Sequence, residues 1–173
     1  MLPKLEGLLQ HILRYSAESP FFMLTCGGLA LLGTVTAAYP VTTVVVPAAL
    51  LLPQRWKSIS FWTALGSALG ATLLVISIHH MGWAALYEHY PQLASHPDWQ
   101  RIMSWVDQFG ITALFVLAIS PLPQTPGLIF FGIAWHDYLL VFLAMLAGKL
   151  LKYAAFAYVT KQFPNRFERL FHG

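Results

Sequence analysis

Apolar positions along this chain fall in long blocks, and prolines cut those blocks at recurring places. Over residues 2–15, Leu5, Leu8, Leu9 and Ile12 share one helical face, with Lys4, Gln10, His11 and Arg14 mostly elsewhere. That pattern predicts a helix lying in a membrane interface. Pro20 opens an apolar segment through Ala38, Tyr39-Pro40 interrupts it, and residues 41–52 form a short apolar piece containing Pro47. Pro53-Gln54-Arg55-Trp56-Lys57 reads as an interfacial return. A piece of about 12 residues falls short of the ~20 needed to cross a bilayer, so the broken pair predicts a re-entrant hairpin. Residues 58–80 are long enough to cross.

The second half follows the same plan. Sliding the sequence on itself by 81 positions aligns Val35 with Val116, Ala37 with Ala118, Pro40 with Pro121, Phe61 with Phe142, Leu65 with Leu146 and Leu69 with Leu150, without a gap. The second break reads Pro121-Leu122-Pro123-Gln124-Thr125-Pro126-Gly127, and a second crossing segment runs over residues 138–160. Paired, proline-broken short segments point to an inverted repeat with its site near the bilayer midplane. The expected fold is an all-α integral membrane protein: an inverted repeat with two re-entrant hairpins, two full spanning helices and interfacial amphipathic helices. Its parts are an interfacial helix over 1–18, a membrane domain over 19–160 and a basic cytoplasmic tail over 161–173. Within the membrane domain, the first repeat covers about 20–80, a connector 81–107 and the second repeat about 108–160. The apolar run near Phe21 has the look of a signal segment, but the piece after it belongs to the repeat, so retention is expected.

Composition agrees with this reading. Of the 173 residues 57% are hydrophobic and 10% charged, against about 25% charged in soluble domains. No Asp, Glu, Lys or Arg occurs over residues 19–54, 58–87 or 108–136. With two hairpins and two crossings both termini share a side, and that side collects Lys4, Arg14, Arg55, Lys57, Lys161, Arg166 and Arg169. The connector offers Arg101 against Glu88, Asp98 and Asp107, with Trp83, Tyr87, Tyr90, Trp99 and Trp105 as belt aromatics. The positive-inside rule then places both termini in the cytoplasm. A net charge of +3, scattered, gives no nucleic-acid surface, and the lone Cys26 excludes an intramolecular disulfide.

Irregular backbone at membrane depth needs protein or a water-filled cavity around it, so two hairpins imply a polar centre. Thr36, Tyr39, Thr42 and Thr43 flank the first break; Ser120, Gln124 and Thr125 flank the second. Their polar groups either bind a substrate or satisfy broken backbone beside Pro40, Pro47, Pro121, Pro123, Pro126 and Gly127. Half-helices after Pro40 and Pro126 would aim their positive ends inward, toward an anion. Lys149 stands about 17 Å into the last span, near the centre of a core about 30 Å thick. A lysine there costs about 2.5–3.5 kcal/mol and marks a cavity, pathway or partner. Lys152 and Tyr153 share its helical face, and no carboxylate accompanies the pair in the uncharged runs, which predicts an anion site. The alternative has Lys152 snorkelling and Lys149 neutral or bonded to hairpin carbonyls. The row Gly66, Ser67, Ala68, Gly70, Ala71 reads as helix packing. His79-His80 with His89, His96 and Asp98 lack metal-ligand spacing, so no metal is expected. A phosphate-cradling glycine loop, HExxH and GxSxG are all absent, so neither a cofactor nor an enzymatic activity is indicated.

Several of these residues together resemble the DedA family, within the wider VTT-domain (SNARE-associated Golgi protein) superfamily. They are Tyr39-Pro40-Val41-Thr42-Thr43, Gly66-Ser67-Ala68-Leu69-Gly70, Phe109-Gly110, Pro121-Leu122-Pro123 and Gly148-Lys149-Leu150-Leu151-Lys152-Tyr153. The resemblance covers about residues 20–160 and is nearest to the short bacterial YqaA-like branch. It implies a bacterial inner-membrane protein with two facing hairpins, linked to translocation of phospholipid or undecaprenyl phosphate. Better-studied relatives carry acidic residues around the first hairpin and arginines around the second, associated with proton coupling; here both hairpins are uncharged. The expected function is lipid translocation or scrambling, with Lys149, Lys152, Tyr153, Thr42, Thr43, Gln124 and Thr125 receiving an anionic headgroup. Membrane lipids are then the partners, and a homo-oligomer is compatible. The alternatives are a small-solute or ion-coupled transporter and a non-transporting membrane protein that assists envelope assembly.

Overall fold

The computed structural model describes residues 2–89, 97–120, 124, 128, 131, 132 and 137–163. Among these residues the protein is helical, with no strand. The helices are α1 (Leu2–Ser16), α2 (Phe22–Thr36), α3 (Thr42–Leu51), α4 (Trp56–His89, after a 3-10 turn at Pro53–Arg55), α5 (Pro97–Ile119) and α6 (Tyr138–Gln162). Two helices, α4 and α6, are long and apolar enough to cross a membrane. The chain divides into two compact units, one of Met1–Gly70 with Lys149–Gly173, the other of Ala71–Gly148.

In the first unit α2 and α3 form a tight helical hairpin. At about 1.5 Å per residue they measure about 22 and 15 Å, each short of a ~30 Å hydrocarbon core. The turn is built from local bonds. Ala37 takes a left-handed conformation (φ 52°) that ends α2, Thr36 Oγ1 donates to the Leu32 carbonyl at 2.7 Å, and Tyr39 OH reaches back to the Leu29 carbonyl at 2.6 Å. Gly33 makes room for the Tyr39 ring, since a Cβ there would stand 2.6 Å from it. Thr43 then starts α3 by donating both its N–H and its hydroxyl to the Pro40 carbonyl, at 3.0 and 2.7 Å. Pro47 lies inside α3, where its ring nitrogen has no proton to give the Thr43 carbonyl. An L-residue in the left-handed region is strained by about 1–2 kcal/mol that glycine avoids. Ala37→Gly is therefore expected to stabilise the protein by about 1 kcal/mol after glycine's entropy cost, seen as a raised melting temperature in detergent.

α3 is the centre of this unit: Val44, Val45, Ala48 and Ala49 are fully buried, and Val44 and Ala48 pack with Leu13, Phe22, Cys26 and Ile59. α1 packs against α3 and α2. Its buried seam is Leu9, Leu13 and Ser16, while Leu8 is exposed. The i, i+4, i+7 row from Leu9 meets α3, and Leu8 lies outside it. α2 and α4 approach closely through glycine. A Cβ on Gly66 would overlap the Gly27 carbonyl, one on Gly70 would stand 2.8 Å from the Leu31 carbonyl, and one on Gly27 3.1 Å from that of Trp62. Side chains pointing away from this core are large and apolar, including Phe21, Leu24, Leu32, Phe61, Leu69 and Leu151.

In the second unit Val75, Leu114, Ala118, Leu128, Val141 and Met145 are buried, and Gly148 admits α5 so closely that a Cβ would stand 2.9 Å from the Phe115 carbonyl. His79 Nδ1 lies 3.1 Å from the Gly132 carbonyl. The expected connector is met differently: residues 81–89 continue α4 and residues 97–107 open α5. One glycine, Gly82, does not stop a helix, and Pro97 suits a first helical position, which explains both. The remaining connector residues lie outside the described residues, as do Pro121, Pro123, Thr125, Pro126, Gly127 and the tail beyond Phe163.

Candidate functional site

Five of the buried polar side chains belong to α4 and α6 within the first unit: Ser60, Thr63, Ser67, Lys149 and Thr160. They are placed by helical spacing. Ser60, Thr63 and Ser67 recur at i, i+3, i+7 on α4, and Lys149, Tyr153 and Thr160 at i, i+4, i+11 on α6, so each set shares one face. Ser60 Oγ lies 3.3 Å from the Tyr153 carbonyl, and the Trp56 and Tyr158 rings meet with centroids 5.5 Å apart. α4 and α6 thus run antiparallel along this stretch.

Ser67 is the hub. Lys149, 1% exposed, directs its Nζ to the Ser67 carbonyl at 3.2 Å and to the Ser67 hydroxyl at 2.5 Å. The same hydroxyl lies 3.2 Å from Tyr153 OH and 2.6 Å from Thr34 Oγ1. Thr34 Oγ1 also donates to the Ala30 carbonyl at 2.8 Å. One assignment of protons satisfies every contact: Lys149 and Tyr153 donate to Ser67 Oγ, Ser67 donates to Thr34, and Thr34 to Ala30. The result is a directed chain across three helices that starts at the Lys149 amine and ends at a backbone carbonyl. Among the described residues the partners of Lys149 Nζ are both oxygens of Ser67, neither of them a carboxylate.

Of the residues singled out from the sequence, Lys149 and Tyr153 meet at this hub, and Lys152 stands half-buried on the next turn of α6. Thr42 and Thr43 lie in the same unit, and no hydrogen bond among the described residues joins them to Lys149. The Thr43, Thr36 and Tyr39 hydroxyls are spent on the backbone carbonyls of Pro40, Leu32 and Leu29. Gln124 acts likewise in the second unit, its Nε2 donating to the carbonyls of Leu117 and Ala118 at 3.3 and 3.2 Å. Thr125 lies outside the described residues. Sequence reasoning did not single out Ser67 and Thr34 as polar partners. The available signal was a hydroxyl inside a glycine-spaced helix face, four residues or about one turn from another at Thr63, which also fits simple packing. Among the described residues no group of three or more metal-ligating side chains occurs.

The Thr34–Ser67 contact has a counterpart in the repeat. Adding 81 to each number gives Phe115 and Gly148, and in the second unit a Cβ on Gly148 would stand 2.9 Å from the Phe115 carbonyl. The same pair of positions brings helices together in both units, polar in the first and apolar in the second.

Compared with known proteins, no family model matches this chain and no solved structure matches it. An uncharacterized protein of Haemophilus influenzae is 26% identical over 85 residues, which cover 49% of this chain and 43% of that protein. The matched stretch therefore spans less than half the length of that relative.

Proposed function

We propose that this chain is a small multi-pass protein of the bacterial inner membrane, of the DedA kind, with both termini cytoplasmic. It moves a phosphate-bearing lipid headgroup between leaflets while the acyl chains stay in the bilayer. The observation carrying the reading is Lys149, a buried lysine near the middle of a spanning-length helix whose described partners are neutral oxygens. In the bilayer such a charge is costly and is retained where it meets a pathway or ligand. Support for the membrane setting comes from α4 and α6, from large apolar side chains on their outer faces, and from the short α2–α3 hairpin as a re-entrant element. Support for the repeat comes from the matched pairs Thr34–Ser67 and Phe115–Gly148.

The chemistry asked of the residues is modest. A phosphate oxygen replaces the Ser67 oxygens as acceptor for Lys149, a charge-assisted bond in low dielectric and stronger than the neutral one it displaces. Tyr153 and Ser67 hydroxyls then supply further donors. Purified protein in liposomes should accelerate loss of protected fluorescent phospholipid or polyprenyl-phosphate analogue, and Lys149→Met, close in volume, should be at least ~10-fold slower, matching ~1.4 kcal/mol of lost stabilisation. Folded wild-type protein that accelerates neither lipid would overturn the reading. Saturable uptake of a solute without dependence on lipid identity would replace it with solute transport.

A further inference from the structure

We infer that the seam between α4 and α6 in the first unit is the route by which water and an anionic headgroup reach Lys149, opening at the end marked by Trp56 and Tyr158. This deepens the proposed function and rests on it. The seam is graded. At its outer end Trp56 and Tyr158 pack at 5.5 Å, Lys57 Nζ stands 5.7 Å from the Trp56 ring centre, and Gln162 donates to Tyr158 OH at 3.1 Å. Arg55, Lys57 and Lys161 are exposed there, a cationic and aromatic collar suited to lipid phosphates at an interface. Inward come Ser60, Thr63 and Ser67, all within 1% of full burial. Eleven residues separate Trp56 from Ser67, about 16 Å along the helix and half of a ~30 Å core. The seam therefore reaches from one edge to the middle, where Lys149 waits.

The hydrogen bonds show why this seam can part. Hydroxyls that hold helices together in a bilayer bond across the gap. Here Thr63 bonds its own helix at Ile59 (2.6 Å) and Thr160 its own at Phe156 (2.7 Å), while Ser60 has its shorter bond within its own helix at the Trp56 carbonyl (2.8 Å) and a longer one across the gap to the Tyr153 carbonyl (3.3 Å). Each proton stays satisfied when α4 and α6 separate, and each oxygen keeps a lone pair for incoming water. The bonds made across the gap at the inner end, Lys149 and Tyr153 to Ser67, are the ones that a phosphate can replace. A route built this way opens without stranding a donor and closes on a latch at its inner end.

The test is cysteine accessibility in proteoliposomes, on a Cys26→Ser background, with the membrane-impermeant anionic reagent sulfonatoethyl methanethiosulfonate. Ser60→Cys and Thr63→Cys sit in the seam. Phe61→Cys and Leu69→Cys sit on outer faces that are 46% and 42% exposed and would be covered by lipid. The seam cysteines are expected to react at least ~10-fold faster than the outer pair, and a soluble short-chain phosphatidylglycerol should slow them. Seam cysteines no faster than Phe61→Cys and Leu69→Cys would overturn the route, even if lipid translocation were found. Fast, lipid-protected seam cysteines without lipid translocation would uphold the route as an anion path and remove the translocation reading instead.

Discussion

Gly66→Ala is expected to destabilise the protein by about 3 kcal/mol, at the upper end of the overpacking range, whereas Gly28→Ala on the same helical pair should stay within about 1 kcal/mol of wild type. Both changes add one methyl group to a helical glycine, so propensity favours each. They differ in what the methyl meets. At Gly66 it meets the Gly27 backbone carbonyl, and at Gly28 it meets nothing within 4 Å. A backbone carbonyl has no rotamer to move, so α2 and α4 must separate along their length. That separation would also open the contacts at Gly70 with Leu31 and at Ser67 with Thr34. In a bilayer no hydrophobic force between helices offsets the loss, because lipid tails are as apolar as leucine, and packing is most of what joins them. The readout is thermal unfolding in detergent, followed by loss of the monodisperse peak on heating. Equal melting of Gly66→Ala and wild type would show that the α2–α4 contact is looser than the structure has it.

The first break, the presence of two helices of spanning length and the place of Lys149 inside the second of them were legible from the sequence because each depends on local chemistry. Proline past the first turn breaks or kinks a helix, an uncharged run of spanning length needs no partner to be noticed, and a lysine near the middle of such a run is costly. What stayed hidden depends on contacts between distant positions. Ser67 stands 82 residues from Lys149, and its hydroxyl reads from sequence as one more small group between Gly66 and Gly70. Choosing between packing and a polar hub requires knowing which side of α4 meets α6. The hydroxyls beside the first break illustrate the opposite error: Thr36 and Thr43 draw attention by their place, yet backbone carbonyls three or four residues back take their protons first. Which of Leu8 and Leu9 packs inward is hidden for a similar reason, since the two are equally apolar and α3 decides between them.

Ser67→Ala is expected to cost about 2 kcal/mol, Lys149→Met less than about 1, and the pair together no more than Ser67→Ala alone. Removing the Ser67 hydroxyl leaves Lys149 with the Ser67 carbonyl, deprives buried Tyr153 of its hydroxyl partner and leaves Thr34 with Ala30. A buried cation that loses an acceptor bears most of the penalty. Replacing that cation with a methionine of similar length removes the need for the acceptor, while Ser67 still receives Tyr153 and donates to Thr34. Interhelical bonds in membranes average well under 2 kcal/mol because the unfolded chain also finds partners, so the excess above that average is the share due to charge. A double-mutant cycle in detergent measures it, with an expected coupling of about 1–2 kcal/mol. The cycle also separates structure from function. If Lys149 serves a ligand, Lys149→Met keeps its fold and loses translocation, the pattern of a residue retained for activity more than for stability. Should Lys149→Met unfold as readily as Ser67→Ala, the lysine is a staple between α4 and α6, and the headgroup must be received elsewhere.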